Sequence, residues 1–172
     1  SAEQSIDKYM GEVTNGLDLY DFEGYKIYRA TDFQFDDAYT ITDGDGNLTF
    51  LEPYVQNGEK AQWDLNNGKN GWHPVDLNGI KFYLGDDTGI RQYYRDENVV
   101  NGQRYYYAVV SYDYGGDLTN DIIPSDSPMR LRVNSLTGEI EMGPNVVEVT
   151  PSPPAAGYMD AEFEGSLLNH IS

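Results

Sequence analysis

Oxygen-bearing side chains alternate in a short glycine-rich segment, residues 43–47, and an acidic residue follows closely. Carboxylate and amide oxygens on one side of a tight loop are the ligands that calcium prefers. The pattern departs from the EF-hand loop, since Leu48 occupies the glycine position and the last acid comes two residues early. Asp and Gly also suit a plain hairpin turn, so both interpretations stay open. The candidate calcium ligands are Asp43, Asp45, Asn47 and Glu52.

Aromatic side chains stand out in residues 52–78, the part of the chain with the weakest hydrophobic pattern. Rings in such a segment can form a platform for sugar rings or a surface for a protein partner. They can equally tuck under a long loop and serve as its small core. The residues concerned are Tyr54, Trp63, Trp72 and His73.

Catalytic chemistry has little support in the sequence. The chain contains two histidines, His73 and His170, and no cysteine. It has no nucleophile elbow, phosphate-binding loop or His-Glu-x-x-His motif. Carboxylate pairs for glycoside hydrolysis depend on three-dimensional spacing, and no acid is marked by an apolar environment able to raise its pKa. We therefore expect a protein that is not an enzyme.

The chain is strongly acidic, with 29 Asp and Glu against 11 Lys and Arg and a formal charge of −18. A field of this sign repels phosphate backbones and anionic membrane surfaces, which argues against nucleic-acid binding and membrane binding. No apolar stretch approaches membrane-spanning length. The charge is typical of a soluble surface protein or of one that binds divalent cations.

Short β-strands must position these side chains, because brief apolar runs alternate with turn residues along the chain. The 172 residues include 15 Tyr, 18 Gly and 8 Pro, a composition that favours an all-β fold over a helical one. The run at 43–47 lies between two of the strands and predicts a hairpin. Predicted strands cover residues 21–30, 39–41, 48–51, 79–84, 90–95, 129–133 and 139–142, with a further strand-like stretch at 145–150.

The longest β-favouring run, Tyr105 to Tyr112, lies between flanking glycines. At the period of a strand, one face carries Tyr105, Tyr107 and Val109, and the other carries the residues between them. Both faces are largely apolar. The run therefore predicts a central strand with layers on either side.

Two segments resemble strands of fibronectin type III domains. Residues 24–29, Gly-Tyr-Lys-Ile-Tyr-Arg, are similar to that family's third strand, with Tyr25 and Ile27 on one face. Residues 101–113 are similar to its sixth strand, in which Tyr105 would match the tyrosine corner, whose hydroxyl bonds back to the preceding loop. The resemblance implies a fibronectin type III or immunoglobulin-like β-sandwich over about residues 21–134 and does not by itself imply a ligand.

The resemblance also implies two strands before Asp21, and the sequence has no counterpart for them. The lead-in, a fold-back of Val146 to Thr150, or strands donated by a neighbouring chain would each cover the open sheet. A simpler alternative is that Val146 to Gly157 begins a further module. We therefore divide the chain into an irregular lead-in at 1–20, a sandwich at 21–144 with an insertion at about 52–78, and a linker or next module at 145–172.

These observations predict a non-catalytic structural or adhesive module of an exported bacterial surface protein. Its expected partners are neighbouring modules or copies of itself, with strand exchange as one way to assemble. The alternative function is a carbohydrate-binding module that uses the loop with Trp63 and Trp72. We expect the chain to be a segment of a longer, processed protein found outside the cell.

Overall fold

The computed structural model describes residues 2–4, 20–38, 40–42, 45–46, 48–77, 79–116 and 122–155. These residues form an all-β protein, in which the one helical element described is a short 3-10 turn at Ala2–Gln4. The strands are β1 (Phe22–Ala30), β2 (Thr40–Thr42), β3 (Leu48–Leu51), β4 (Val55–Gln56), β5 (Glu59–Lys60), β6 (Gln62–Asp64), β7 (Gly71–Leu77), β8 (Ile80–Gly85), β9 (Tyr105–Asp113), β10 (Leu131–Val133), β11 (Ile140–Met142) and β12 (Val146–Val149).

The main sheet has four antiparallel strands in the order β12-β9-β1-β6. Its register places Ile27 opposite Val109 and Tyr25 opposite both Ser111 and Trp63. Four hairpins accompany it, β2–β3, β4–β5, β7–β8 and β10–β11. An all-β chain with several antiparallel sheets is consistent with a β-sandwich, and β9 lies in the interior of the main sheet as its sequence predicts.

One side of the main sheet, here called the inner face, is a packed core. Tyr28, Ala30, Tyr106, Ala108 and Val110 are buried there, and the period-two alternation of β1 and β9 places them all on the same side. Leu51, Met129 and Leu131 pack against them from the chain around β3 and β10. The hairpins therefore supply the second layer over this face.

The opposite side, here called the outer face, is only partly covered. Ile27 and Trp63 are buried there beneath aromatic side chains that include Tyr107, and the Tyr25 hydroxyl donates a hydrogen bond to Glu3 at 3.1 Å. Val109, however, is 46% exposed. The expectation of a layer on either side of β9 is thus not met at Val109, where nearly half of the side chain stays open to solvent.

Tyr105 is buried, and its hydroxyl accepts a hydrogen bond from the backbone N–H of Val100 at 3.0 Å. This is the bond back to the preceding loop that the tyrosine-corner interpretation requires. The loop and the start of β9 are thereby held together.

Most of the predicted strands are present, but residues 90–95 form no strand. The sequence predicts them as the strand that follows residues 79–84, whereas the strand of that region, β8, pairs with β7. The expectation of an irregular excursion at 52–78 was also wrong. That segment contains β4, β5, β6 and β7, and β6 pairs with β1 in the main sheet. Strands β4, β5 and β6 have only two or three residues each, which is too short to show a period in the sequence.

Residues 146–149 form a strand, and it folds back onto the main sheet. Val146 lies opposite Ala108 and Val149 opposite Tyr105. The structure therefore shows the fold-back alternative, and β12 joins the sheet although we had placed it beyond a boundary at residue 144. Residues 5–19 and 156–172, which hold most of the predicted lead-in, the tail and His170, lie outside the described residues.

Candidate functional site

A large groove runs between the β4–β5 hairpin, β6, the β7–β8 hairpin and the loop that follows β8. Its volume is about 830 Å³. The lining side chains are a mixture of aromatic rings and polar or charged groups, which is the usual character of a ligand site. They belong to Gln56, Glu59, Lys60, Gln62, Trp63, Trp72, Tyr83, Asp86, Thr88, Arg91, Tyr93, Tyr94 and Arg95.

Aromatic rings on two walls of the groove are open to solvent. Trp72 on β7 is 58% exposed, and Tyr83 lies opposite it on β8 with ring centroids 4.9 Å apart. This cross-strand pair orients both rings. On the other wall, Tyr93 is 84% exposed. Large rings left in water on both sides of one groove leave apolar area for a ligand to cover.

Charged groups of both signs lie among these rings. Lys60 pairs with Glu52 at 3.2 Å, and Asp86 accepts a hydrogen bond from the Tyr83 hydroxyl. The Arg91 guanidinium lies 5.9 Å from the ring of Trp63. Neither Arg91 nor Arg95 has an ion pair within the described part of the chain.

The loop that carries Arg91 and Tyr93 is anchored at its start by Asp64, a fully buried residue of β6. The Asp64 carboxylate accepts hydrogen bonds from the Asp87 N–H at 2.6 Å and from the N–H and hydroxyl of Thr88 at 2.8 and 2.7 Å. Gly85 just before the loop has φ 139°, and a Cβ there would lie 2.3 Å from a carboxylate oxygen of Asp64. Glycine is therefore required for this close approach.

The same loop is anchored at its end by Asp96. Its carboxylate accepts hydrogen bonds from Arg29 at 2.8 Å, Tyr107 at 2.7 Å and Tyr54 at 3.3 Å. Burial by itself raises the pKa of Asp96, but the hydrogen bonds from Tyr107 and Arg29 outweigh it, so the pKa lies below its ordinary value. Two carboxylates thus hold both ends of one wall of the groove against the main sheet.

Tyr94 packs the middle of the loop onto the sheet. Its ring lies 5.4 Å from that of Trp63 and 6.5 Å from that of Tyr54. Burial raises the pKa of the Tyr94 hydroxyl to about 12, and that oxygen has no hydrogen-bond partner among the described residues. Tyr94 is thus held against the sheet, whereas its neighbour Tyr93 is exposed in the groove.

The structure brings together two of the four predicted ligand-contacting residues. Trp63 and Trp72 both line the groove, with Trp63 forming its floor and Trp72 its exposed wall. Tyr54 lies beneath the loop, where the Arg29 guanidinium stacks 3.8 Å from its ring. His73 is buried away from the groove and accepts a hydrogen bond from the Val75 N–H at 3.3 Å.

The groove residues that escaped the sequence interpretation include Tyr83, Arg91, Tyr93 and Arg95. The last three lie in the segment that was assigned to a strand, so their alternation was attributed to a sheet face. The signal was present as a second aromatic–cationic cluster close in sequence to Trp63 and Trp72.

The structure describes two of the four predicted calcium ligands, Asp45 and Glu52. Asp45 is exposed, and Glu52 forms the ion pair with Lys60 described above, while Asp43 and Asn47 lie outside the described residues. No group of three or more metal-ligating side chains occurs in the described ranges. The calcium site therefore stays a prediction.

A buried acid also escaped the sequence interpretation. Glu23 on β1 is fully buried, and one of its oxygens accepts a hydrogen bond from Asn67 at 3.0 Å. The other oxygen has no partner in the described part of the chain, and burial raises the pKa of the carboxyl to about 7. Glu23 does not line the groove, so its protonation bears on stability rather than on a ligand there.

No protein-family profile matches the chain, and comparisons with curated proteins and with solved structures yield no significant match. Among the described residues, no helix has the length and apolar character needed to cross a membrane.

Proposed function

We propose that this protein is a non-catalytic interaction module whose groove binds carbohydrate. The observation that carries the proposal is that two strongly exposed aromatic rings, Trp72 and Tyr93, line one large groove. Exposed rings offer flat apolar surfaces that fit the C–H faces of sugar rings.

The polar groups of the groove favour a sugar over a purely apolar ligand. Gln56, Glu59 and Asp86 lie among the rings and can exchange hydrogen bonds with hydroxyl groups. The site is an open groove, which admits a chain as well as a single small molecule. A polyol with apolar ring faces satisfies both kinds of surface at once.

The proposal remains one of binding rather than hydrolysis. A glycosidase needs an acid held in an apolar environment beside its substrate. Among the described residues, the acids with buried carboxylates, Glu23, Asp64 and Asp96, do not line the groove, and Asp64 holds the loop after β8. Those that do line it, Glu59 and Asp86, are exposed.

The wider setting of the proposal is a fibronectin type III-like sandwich in an exported bacterial surface protein. The bond from Val100 to Tyr105 supports the fibronectin-like interpretation, since it reproduces the tyrosine corner. A glycan-binding groove would give such a module an adhesive role.

Binding to an array of polysaccharides tests the proposal. We expect the wild-type protein to bind at least one glycan, and Trp72→Ala and Tyr93→Ala each to weaken that binding by about tenfold or more, because a stacked ring contributes about 1–2 kcal/mol. Tyr20→Ala is the matched control, since Tyr20 is 58% exposed and lies outside the groove. Retained binding in both groove variants would overturn the proposal.

A second candidate function is assembly with neighbouring modules or copies of the same protein. Val109, Val147 and Val149 are 46%, 52% and 40% exposed on the outer face, and β12 is an edge strand of the main sheet. Exposed apolar area beside an open edge favours strand addition. Sedimentation analysis of the oligomeric state of wild type and of Val147→Ser/Val149→Ser tests this candidate. A wild-type protein that stays monomeric at high concentration would contradict self-assembly.

A further inference from the structure

The groove carries a pair of arginines that the binding of neutral sugar does not require. Arg91 and Arg95 belong to the loop between the Asp64 and Asp96 anchors, and the exposed ring of Tyr93 lies between them in sequence. Both arginine side chains are exposed and both line the groove.

Each arginine has one contact with another groove residue. The Arg91 guanidinium stands 5.9 Å from the Trp63 ring on the floor of the groove. The Arg95 backbone carbonyl accepts a hydrogen bond from the side-chain amide nitrogen of Gln56 on β4 at 3.2 Å, and the side-chain amide oxygen of Gln56 accepts one from the Glu97 N–H at 2.8 Å. The backbone that carries Arg95 is therefore tied to β4.

The groove also contains acidic groups, but within the described ranges neither arginine forms an ion pair with them. In the described part of the chain, Arg29 pairs with Asp96 and Arg104 pairs with Glu148, whereas Arg91 and Arg95 form no ion pair. The other charged groups that face the groove are Glu59, Asp86 and Lys60, and Lys60 is paired with Glu52. Two guanidinium groups therefore remain available to a ligand.

We propose, building on the carbohydrate-binding function above, that the groove binds an acidic polysaccharide through its carboxylate groups. The planar guanidinium forms paired hydrogen bonds with a carboxylate, and the exposed rings of the same groove offer surfaces for the sugar faces. A uronic acid supplies both parts, since it is a sugar ring that bears one carboxylate.

The charge of the whole protein favours a carboxylated polymer over a more densely charged one. The formal charge of −18 repels polyanions at long range, and this repulsion grows with the charge of the polymer. A uronate chain carries one charge for each acidic ring, so a local arginine pair can outweigh the repulsion. A heavily sulfated chain carries more charge on each ring, so the protein repels it more strongly.

The test compares immobilised polygalacturonate, a neutral mannan and dextran sulfate as ligands for four proteins. These are wild type, Trp72→Ala, the double variant Arg91→Gln/Arg95→Gln, and the control Arg130→Gln/Arg132→Gln, which removes the same charge at exposed positions outside the groove. We expect wild type and control to prefer polygalacturonate, with affinity that falls as salt rises from about 0.05 to 0.5 M.

The groove double variant should lose about tenfold or more of its affinity for polygalacturonate, while weak binding to the mannan stays unchanged. Equal affinity of wild type for polygalacturonate and mannan, or tighter binding of dextran sulfate, would overturn the inference. The proposed function would survive that result if Trp72→Ala still lost binding. If Trp72→Ala bound all three polymers as wild type does, the proposed function itself would fail. Thermal melting of each variant shows that it is folded.

Discussion

Arg29 and Asp96 form a charged pair across the outer face, with Nη1 of Arg29 2.8 Å from Oδ2 of Asp96. Arg29 lies on β1 of the main sheet, and Asp96 closes the loop that forms one wall of the groove. The same carboxylate accepts a hydrogen bond from the hydroxyl of Tyr107 on β9. One acid therefore ties the groove wall to two central strands.

Asp96→Asn should destabilise the protein by about 3 kcal/mol, because it leaves the partly buried Arg29 without its counter-charge. The pKa of Asp96 is lowered in the folded state, so its contribution is present above the ordinary pKa of 3.8 and is lost as the pH falls through the folded value. Urea denaturation between about pH 2 and 7 measures both effects. Glu97→Gln, at an exposed neighbouring position, is the control. A variant as stable as wild type at neutral pH would contradict the anchoring role.

Gly85→Ala should destabilise the protein by about 2 kcal/mol or more and weaken glycan binding. The added Cβ meets Asp64 at 2.3 Å, and φ of 139° is unfavourable for alanine. Gly89→Ala is the matched control, since Gly89 has φ of 76° but open space around its Cα. The Gly89→Ala substitution should lower the free energy of unfolding by only about 1 kcal/mol, because alanine is unfavourable in this backbone conformation. Equal stability losses in the two variants would show that the contact with Asp64 is unimportant.

Tyr105→Phe should lower the free energy of unfolding by about 1 kcal/mol, because the Val100 N–H loses its acceptor. Tyr93→Phe removes the same hydroxyl from an exposed ring and should have no effect on stability. Chemical denaturation of both variants provides the measurement. If Tyr105→Phe is as stable as wild type, the tyrosine-corner assignment does not hold.

Glu23→Gln should make stability less dependent on pH. The pKa of Glu23 is raised from 4.5 to about 7 by burial, so the folded state holds the proton more tightly than the unfolded state. Wild type therefore loses stability as the pH rises from about 4.5 through 7, by about 2 kcal/mol, and the glutamine variant does not. Melting temperatures at about pH 5 and pH 8 reveal the difference, with Glu141→Gln as an exposed control. Parallel pH profiles for wild type and Glu23→Gln would refute this account.

Calcium should raise the melting temperature if Asp43, Asp45, Asn47 and Glu52 form a site, because a ligand that binds only the folded state stabilises it. Chelator should reverse the effect, and Asp45→Asn should weaken it. A melting temperature that is unchanged by calcium and by chelator would eliminate this site.

Much of the fold could be predicted locally. The direction of a side chain in a strand depends on its own backbone, so alternation in β1 and β9 revealed both strands and both faces before any partner was known. The turn residues between β2 and β3 likewise marked their hairpin. The groove aromatics Trp63 and Trp72 could also be predicted as candidates, because their residue type alone suggests ring stacking.

The rest depended on contacts between distant parts of the chain. Ile90 to Arg95 has the pattern of a strand, yet Asp64 and Asp96 hold the adjoining residues by side-chain hydrogen bonds and no strand pairs with it. Burial of Glu23 and exposure of Val109 likewise follow from which elements pack over them. Periodicity carries no information about such partners, because hydrogen bonding and desolvation are set by neighbours that only the folded chain brings together.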